Sequence, residues 1–88
     1  MHIKLNQGLL IQKVVDEIVI LEPESGDYYT LNETGAMMLE GLQEGKAMSE
    51  ITGMISAKFN IATKDVENDL IQLLIDLERN GLAQTVDA

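Results

Sequence analysis

The chain has 88 residues, a length that accommodates one domain and no second core. Its 15 acidic and 6 basic residues give a net charge of −9, which opposes the phosphate contacts on which nucleic-acid binding depends. There is no cysteine, so disulfides, thiolate metal sites and cysteine nucleophiles are excluded. The N-terminal segment lacks the apolar region of a signal peptide, and no apolar run reaches the length of a membrane span. We therefore expect a cytoplasmic protein with no membrane contact.

The first third of the chain alternates β-favouring runs with turn residues. Residues 8–15 (GLLIQKVV) and 18–21 (IVIL) are rich in β-branched side chains. Residues 22–27 (EPESGD) supply the Pro, Ser, Gly and Asp of a hairpin connection, and residues 28–31 (YYTL) resume an extended run. This order predicts three short antiparallel strands. In the third strand, period-two alternation places Tyr29 beside Leu31, and we expect both side chains to face the core.

The remaining residues show helical spacing and cap signals for three helices. The predicted fold is α+β and winged helix-turn-helix-like, with a three-stranded antiparallel sheet followed by three helices, in a single domain over residues 1–88 whose core spans about 8–84. Residues 82–83 can add a short extended segment. The predicted N-caps of the three helices are Asn32, Ser49 and Thr63. The helices are predicted to end near Gln43, Asn60 and Asn80. Gly45 and Gly81 are the glycines that are expected to stop the first and third helices.

The third predicted helix has a wider apolar arc than one core contact requires. Ile71 and Ile75 lie roughly 60–100° outside its main apolar stripe at 100° per residue. One interpretation is that the N-terminal strand or a dimer partner covers these two side chains. The other is an exposed apolar groove next to the edge of the third strand, an arrangement that can pair an extended peptide. The main stripe consists of Val66, Leu70, Leu73, Leu74 and Leu77.

The sequence contains no constellation typical of catalysis or of metal binding. The only histidine is His2, close to the N-terminus, and no Gly-rich phosphate loop is present. Carboxylates are scattered along the helices, where they typically solvate a surface. We therefore expect no enzyme activity, no metal ion and no cofactor.

Several short motifs in a fixed order carry a family resemblance. They are LEPESG at 21–26, YYTLN at 28–32, ETGA at 33–36, VENDL at 66–70 and NGL at 80–82, with Gly45, Ile51 and Phe59 at intermediate positions. Together they span roughly residues 8–84, and in this order and spacing the chain resembles the PqqD-like family.

The resemblance implies a recognition element for the precursors of ribosomally made, modified peptides (RiPPs). Such a domain binds the leader of the precursor as an added strand next to the third β-strand and against the third helix. The segment YYTLNETGA is most similar to the corresponding segment of the free-standing leader-binding protein of lasso-peptide pathways. Such a protein would deliver the leader to a leader peptidase. A family member of the pyrroloquinoline quinone type would instead present the leader to a radical SAM enzyme. Carried over to this chain, the peptide-binding residues are Asp27, Tyr28, Tyr29, Thr30 and Leu31 on the strand, and Glu67, Ile71, Leu74, Ile75 and Glu78 on the helix.

Two other classes of protein have the same predicted architecture. A winged-helix DNA-binding regulator would need a basic recognition helix, but the third helix offers only two basic residues, Lys64 and Arg79, against five acidic ones. A subunit that uses its apolar face only for homodimerisation is the other alternative. The expected partners are thus a leader peptide and a processing enzyme, without nucleic acid, and the chain is expected to be a monomer or weak dimer.

Overall fold

The computed structural model describes residues 2–86, and it confirms an α+β fold in which a three-stranded antiparallel sheet precedes three helices. The predicted first, second and third strands are the strands β2, β3 and β4 of the structure. Two further strands, β1 and β5, form a separate antiparallel pair. The elements are β1 (His2–Leu5), β2 (Leu10–Val14), β3 (Glu17–Leu21), β4 (Tyr28–Leu31), α1 (Glu33–Gln43), α2 (Met48–Phe59), α3 (Thr63–Arg79) and β5 (Ala83–Val86).

The β1–β5 pair ties the two ends of the domain together. The sequence analysis predicted only a short extended segment at residues 82–83 and did not predict β1. Ile3 and Ala83 are buried, and the backbone N–H of Asn6 donates to the carbonyl of Leu82 over 2.9 Å. The pair therefore closes one side of the core. Ile71 and Ile75 are each 41% exposed, so neither the predicted N-terminal strand, now β2, nor any other described element covers them fully.

One face of the three-stranded sheet packs on the helices. Ile18 and Ile20 of β3 and Leu31 of β4 are buried, and Tyr29 packs against this core at partial exposure, as the alternation predicted. The helices complete the core with residues that are fully or almost fully buried: Ala36, Met38, Leu39, Leu42, Ile51, Ile55, Val66, Leu70, Leu73 and Leu77.

Helix α1 crosses α2 very closely, and a glycine makes this possible. A Cβ atom placed on Gly41 would lie 2.8 Å from Cγ1 of Ile51, a side chain that is completely buried. Gly53, also within a helix, has no atom within 4 Å of its Cβ position. Only the first of these two glycines is thus required by packing.

One of the three predicted N-caps is correct. The Asn32 side-chain oxygen accepts a hydrogen bond from the backbone N–H of Gly35 over 2.9 Å and starts α1. Ser49 and Thr63 were wrong as caps: each lies inside its helix, and the N-cap positions are Ala47 and Ala62. Neither alanine offers a side-chain hydrogen bond, so tertiary packing of the first turn, rather than a polar cap, decides where these two helices begin.

The predicted helix ends agree with the backbone conformation. Gly45 and Gly81 have positive φ angles of 78° and 69°, which glycine adopts without steric cost. Asn60 ends α2 with a φ of 54°, in the left-handed region that asparagine tolerates.

Candidate functional site

Strand β4 is an edge of the three-stranded sheet. The strand order is β2-β3-β4, and no described strand pairs with the outer side of β4. The backbone N–H of Glu22 donates to the carbonyl of Asp27 over 2.8 Å, which defines a hydrogen-bonded pair. In an antiparallel ladder such pairs alternate with non-bonded ones. The register Ile20↔Tyr29 and Val19↔Thr30 therefore directs the backbone groups of Tyr29 toward β3, and those of Tyr28 and Thr30 toward the open edge.

A groove runs alongside β4, between this strand and α3. Its larger part is a cleft of about 600 Å³, in which Tyr29, Thr30 and Leu31 form one wall. Its smaller part, of about 300 Å³, lies at the hairpin end of β4, where Asp27 and Tyr28 face the end of α3. Tyr29 lines both parts. The opposite wall of the larger part comes from α3 and consists of Asp69, Gln72, Leu73 and Asp76. The opposite wall of the smaller part comes from the residues that directly follow α3, namely Asn80, Gly81 and Leu82.

The Tyr29 side chain spans the groove. Its hydroxyl donates to Oδ2 of Asp76 over 3.4 Å, while Nε2 of Gln72 donates to Oδ1 of the same carboxylate over 2.9 Å. Burial first, and then the neighbouring negative charge of Asp76 and the hydrogen bond to it, raise the pKa of Tyr29 above its usual value of 10.0. At neutral pH the phenol is therefore protonated, and its hydrogen bond to Asp76 links β4 to α3 across the groove.

The groove is acidic along its whole length. Glu17, Asp69 and Asp76 line the larger part, and Glu22 and Asp27 line the smaller part. No lysine or arginine is among the described residues that line either part. A ligand that fills this groove consequently meets carboxylates and backbone groups rather than cationic side chains.

The structure brings together the strand half of the predicted site but not the helix half. All five predicted strand residues line the groove. On α3, Ile71 and Ile75 each precede a groove residue, so their side chains point roughly 100° away from it. Peptide contact by these two residues stays a prediction. The other predicted helix residues are likewise absent from both parts of the groove: Glu67 and Glu78 are exposed, and Leu74 packs at the margin of the core.

The sequence analysis missed the residues of α3 that do face β4. The sequence analysis interpreted the carboxylates along the helices as solvating a surface, so it did not consider Asp69, Asp76 or the neighbouring Gln72 as site residues. Their spacing of three and four residues marks a single helix face, and this was the available signal. Which flank of an amphipathic helix faces a given strand depends on how the helix docks, which periodicity alone does not determine.

Two further findings concern other kinds of site. Among the described residues, no cluster of three or more His, Cys, Asp or Glu side chains could hold a metal ion. The side chain of His2 lies outside the described part. No helix in residues 2–86 is both long and apolar enough to cross a membrane.

An edge strand with free backbone groups, set beside a groove on a small α+β domain, defines a class of domain that can take up an extended peptide by strand addition. The family model described as coenzyme PQQ synthesis protein D (PqqD) matches residues 17–83, and the chain belongs to this family. The family resemblance noted in the sequence is thereby confirmed. No curated protein matches the chain.

Two solved structures share the whole fold. TbiB1 in complex with the TbiA(beta) leader peptide is 28% identical, with a TM-score of 0.79 over 97% of this chain and 99% of TbiB1. A lasso peptide synthetase B1 complexed with the leader peptide has a TM-score of 0.86 over 97% of this chain and 100% of its own length. At 24% identity, this second likeness supports the fold alone.

Proposed function

We propose that this protein is a non-catalytic recognition element that binds the leader of a precursor peptide as an additional strand on β4. The observation that carries the proposal is the open edge of β4, where the backbone groups of Tyr28 and Thr30 face the groove side without a strand partner among the described residues. The fold is shared with TbiB1, which was solved with a leader peptide bound. Strand addition supplies main-chain hydrogen bonds, and the groove supplies side-chain contacts.

Delivery to a processing enzyme is the second half of the proposal. A leader peptidase of a lasso pathway is the first candidate, because the segment YYTLNETGA resembles the leader-binding protein of lasso-peptide pathways and the related TbiB1 was solved with a leader peptide. A radical SAM peptide-modifying enzyme is the alternative, supported by the PqqD description of the family. The outer face of the sheet supports contact with a second protein, because Leu10, Val14 and Tyr28 are 58%, 49% and 72% exposed there.

Hydrogen exchange tests the binding mode directly. The probe is the leader segment of the precursor encoded beside this gene, added in excess to the ¹⁵N-labelled protein. We expect the amides of Tyr28 and Thr30 to exchange at least about tenfold more slowly, because strand addition gives them acceptors. By the same alternation, the outward amides of Ile11 and Lys13 on β2, the opposite edge, provide the internal control. Leader binding without protection of the β4 amides would contradict strand addition at this edge.

The predicted role of Ile71 and Ile75 is tested with the variants Ile71→Asp and Ile75→Asp. Both side chains are half exposed, so neither variant should unfold the domain. Because neither residue lines the groove, we expect leader affinity to change less than about threefold. A loss of about tenfold or more, with an unchanged circular dichroism spectrum, would instead place the leader against this second flank of α3.

A further inference from the structure

Among the described residues, the groove carboxylates have no cationic partner. The ion pairs of the described residues involve other acids, and none includes Glu17, Asp69 or Asp76. The pairs are Lys13–Glu40 at 3.2 Å, Lys46–Glu44 at 3.4 Å and Lys58–Glu33 at 3.6 Å. The negative charge of the groove is therefore left for a ligand to complement.

A peptide added to β4 would cover these carboxylates. Its alternate side chains would lie on the same face of the sheet as Tyr29 and Leu31, which is the face that turns toward α3. Asp69 and Asp76 are two helical turns apart, about 10.5 Å along α3, which lies between the separations of about 7 Å and about 14 Å for same-face residues two and four positions apart in an extended chain. Long cationic side chains at alternate peptide positions can reach both.

Covering a carboxylate without giving it a partner is unfavourable, because the charge loses water and gains nothing in return. A neutral or acidic segment would leave Asp69 in that situation, and would leave Asp76 with only the neutral hydrogen bonds from Tyr29 and Gln72. A lysine or arginine would restore the lost solvation with a charge-assisted hydrogen bond. The net charge of −9 would also attract a cationic peptide from a distance.

We propose that the groove between β4 and α3 selects leader segments that carry lysine or arginine at alternate positions, directed at Asp69 and Asp76. This inference rests on the proposed leader binding, and it adds the chemistry by which the leader is recognised. The smaller part of the groove, with Glu22 and Asp27, extends the same preference toward the hairpin end of β4.

The test measures the anisotropy of a fluorescein-labelled leader titrated with the protein and with charge variants. We expect Asp69→Asn and Asp76→Asn each to weaken binding about threefold to tenfold, while Asp65→Asn, on the exposed start of α3 and outside the groove, has no effect. Replacement of the leader's lysines and arginines by glutamine should cause a comparable loss. Raising NaCl from about 50 mM to about 500 mM should also weaken binding, by about tenfold.

A charge reversal separates direct pairing from an indirect effect. Asp69→Lys should bind a leader with one cation changed to glutamate better than the wild-type protein does. The inference is wrong if the leader binds with β4 amide protection but neither the salt nor the groove variants change its affinity, or if the bound leader carries no cation. Absence of leader binding by the wild-type protein, or binding without β4 protection, would instead overturn the proposed function.

Discussion

The variant Thr30→Pro tests strand addition most sharply. The backbone N–H of Thr30 points to the open edge, because its partner Val19 forms a non-hydrogen-bonded pair in the β3–β4 register. Proline removes this donor and places its ring where a peptide carbonyl would lie. The ladder with β3 does not use the N–H group, and proline is tolerated on an edge strand when its nitrogen faces outward. The substitution should therefore block a ligand without unfolding the domain.

The expected loss follows from the groups that the variant removes. One main-chain hydrogen bond contributes about 0.5–1.5 kcal/mol, and a peptide carbonyl left without a partner adds about 1 kcal/mol or more. We expect leader binding to weaken by about 1.5–3 kcal/mol, which corresponds to roughly 10- to 100-fold in Kd. The free energy of unfolding should change by less than about 1 kcal/mol, because only the open side of the strand is altered.

Isothermal titration calorimetry measures the affinity, and urea unfolding measures the stability. Thr30→Ala keeps the N–H group and is the control for the side chain. Ile11→Pro places the same ring at an outward position of β2, the opposite edge of the sheet, and should leave leader affinity unchanged. A folded Thr30→Pro protein that binds the leader as tightly as the wild type would refute strand addition on β4.

Three other predictions concern stability. Gly41→Ala should lower the free energy of unfolding by about 1–3 kcal/mol, because the new Cβ would lie 2.8 Å from the Ile51 side chain. Gly53→Ala has open space around the new Cβ and should raise the free energy of unfolding by about 0.5–1 kcal/mol. Urea titration measures both changes. Val15 lies at the β2–β3 turn with a φ of 58°, a conformation that asparagine adopts more readily than valine. Val15→Asn should therefore raise the free energy of unfolding by about 1 kcal/mol. An equal or lower urea unfolding midpoint would contradict strain at this turn. Since the pKa of Tyr29 is raised above 10.0 in the folded state, the unfolded chain loses this proton first, so stability should fall as pH rises through about 10, and less steeply in Tyr29→Phe.

Local chemistry and periodicity were sufficient for most of the elements. The hairpin residues between β3 and β4, the Asn32 cap and the positive-φ glycines at positions 45 and 81 act over a few residues, so the sequence revealed them. The alternation in YYTL likewise predicted that Leu31 and Tyr29 face the core. The same short-range logic was misleading at Ser49 and Thr63, where packing of the first helical turn overrides a favourable cap residue.

The sequence by itself determined the family, the three-stranded sheet with its three helices, and the strand that offers an open edge. Only the tertiary structure decided which flank of α3 faces that edge. Helical periodicity separates an apolar stripe from the rest, but the two flanks of the stripe are equivalent until the helix docks on α1 and α2. Docking turned Asp69, Gln72 and Asp76 toward β4 and left Ile71 and Ile75 outside the groove. The groove beside β4 is therefore lined by carboxylates, and peptide contact by the two isoleucines stays a prediction.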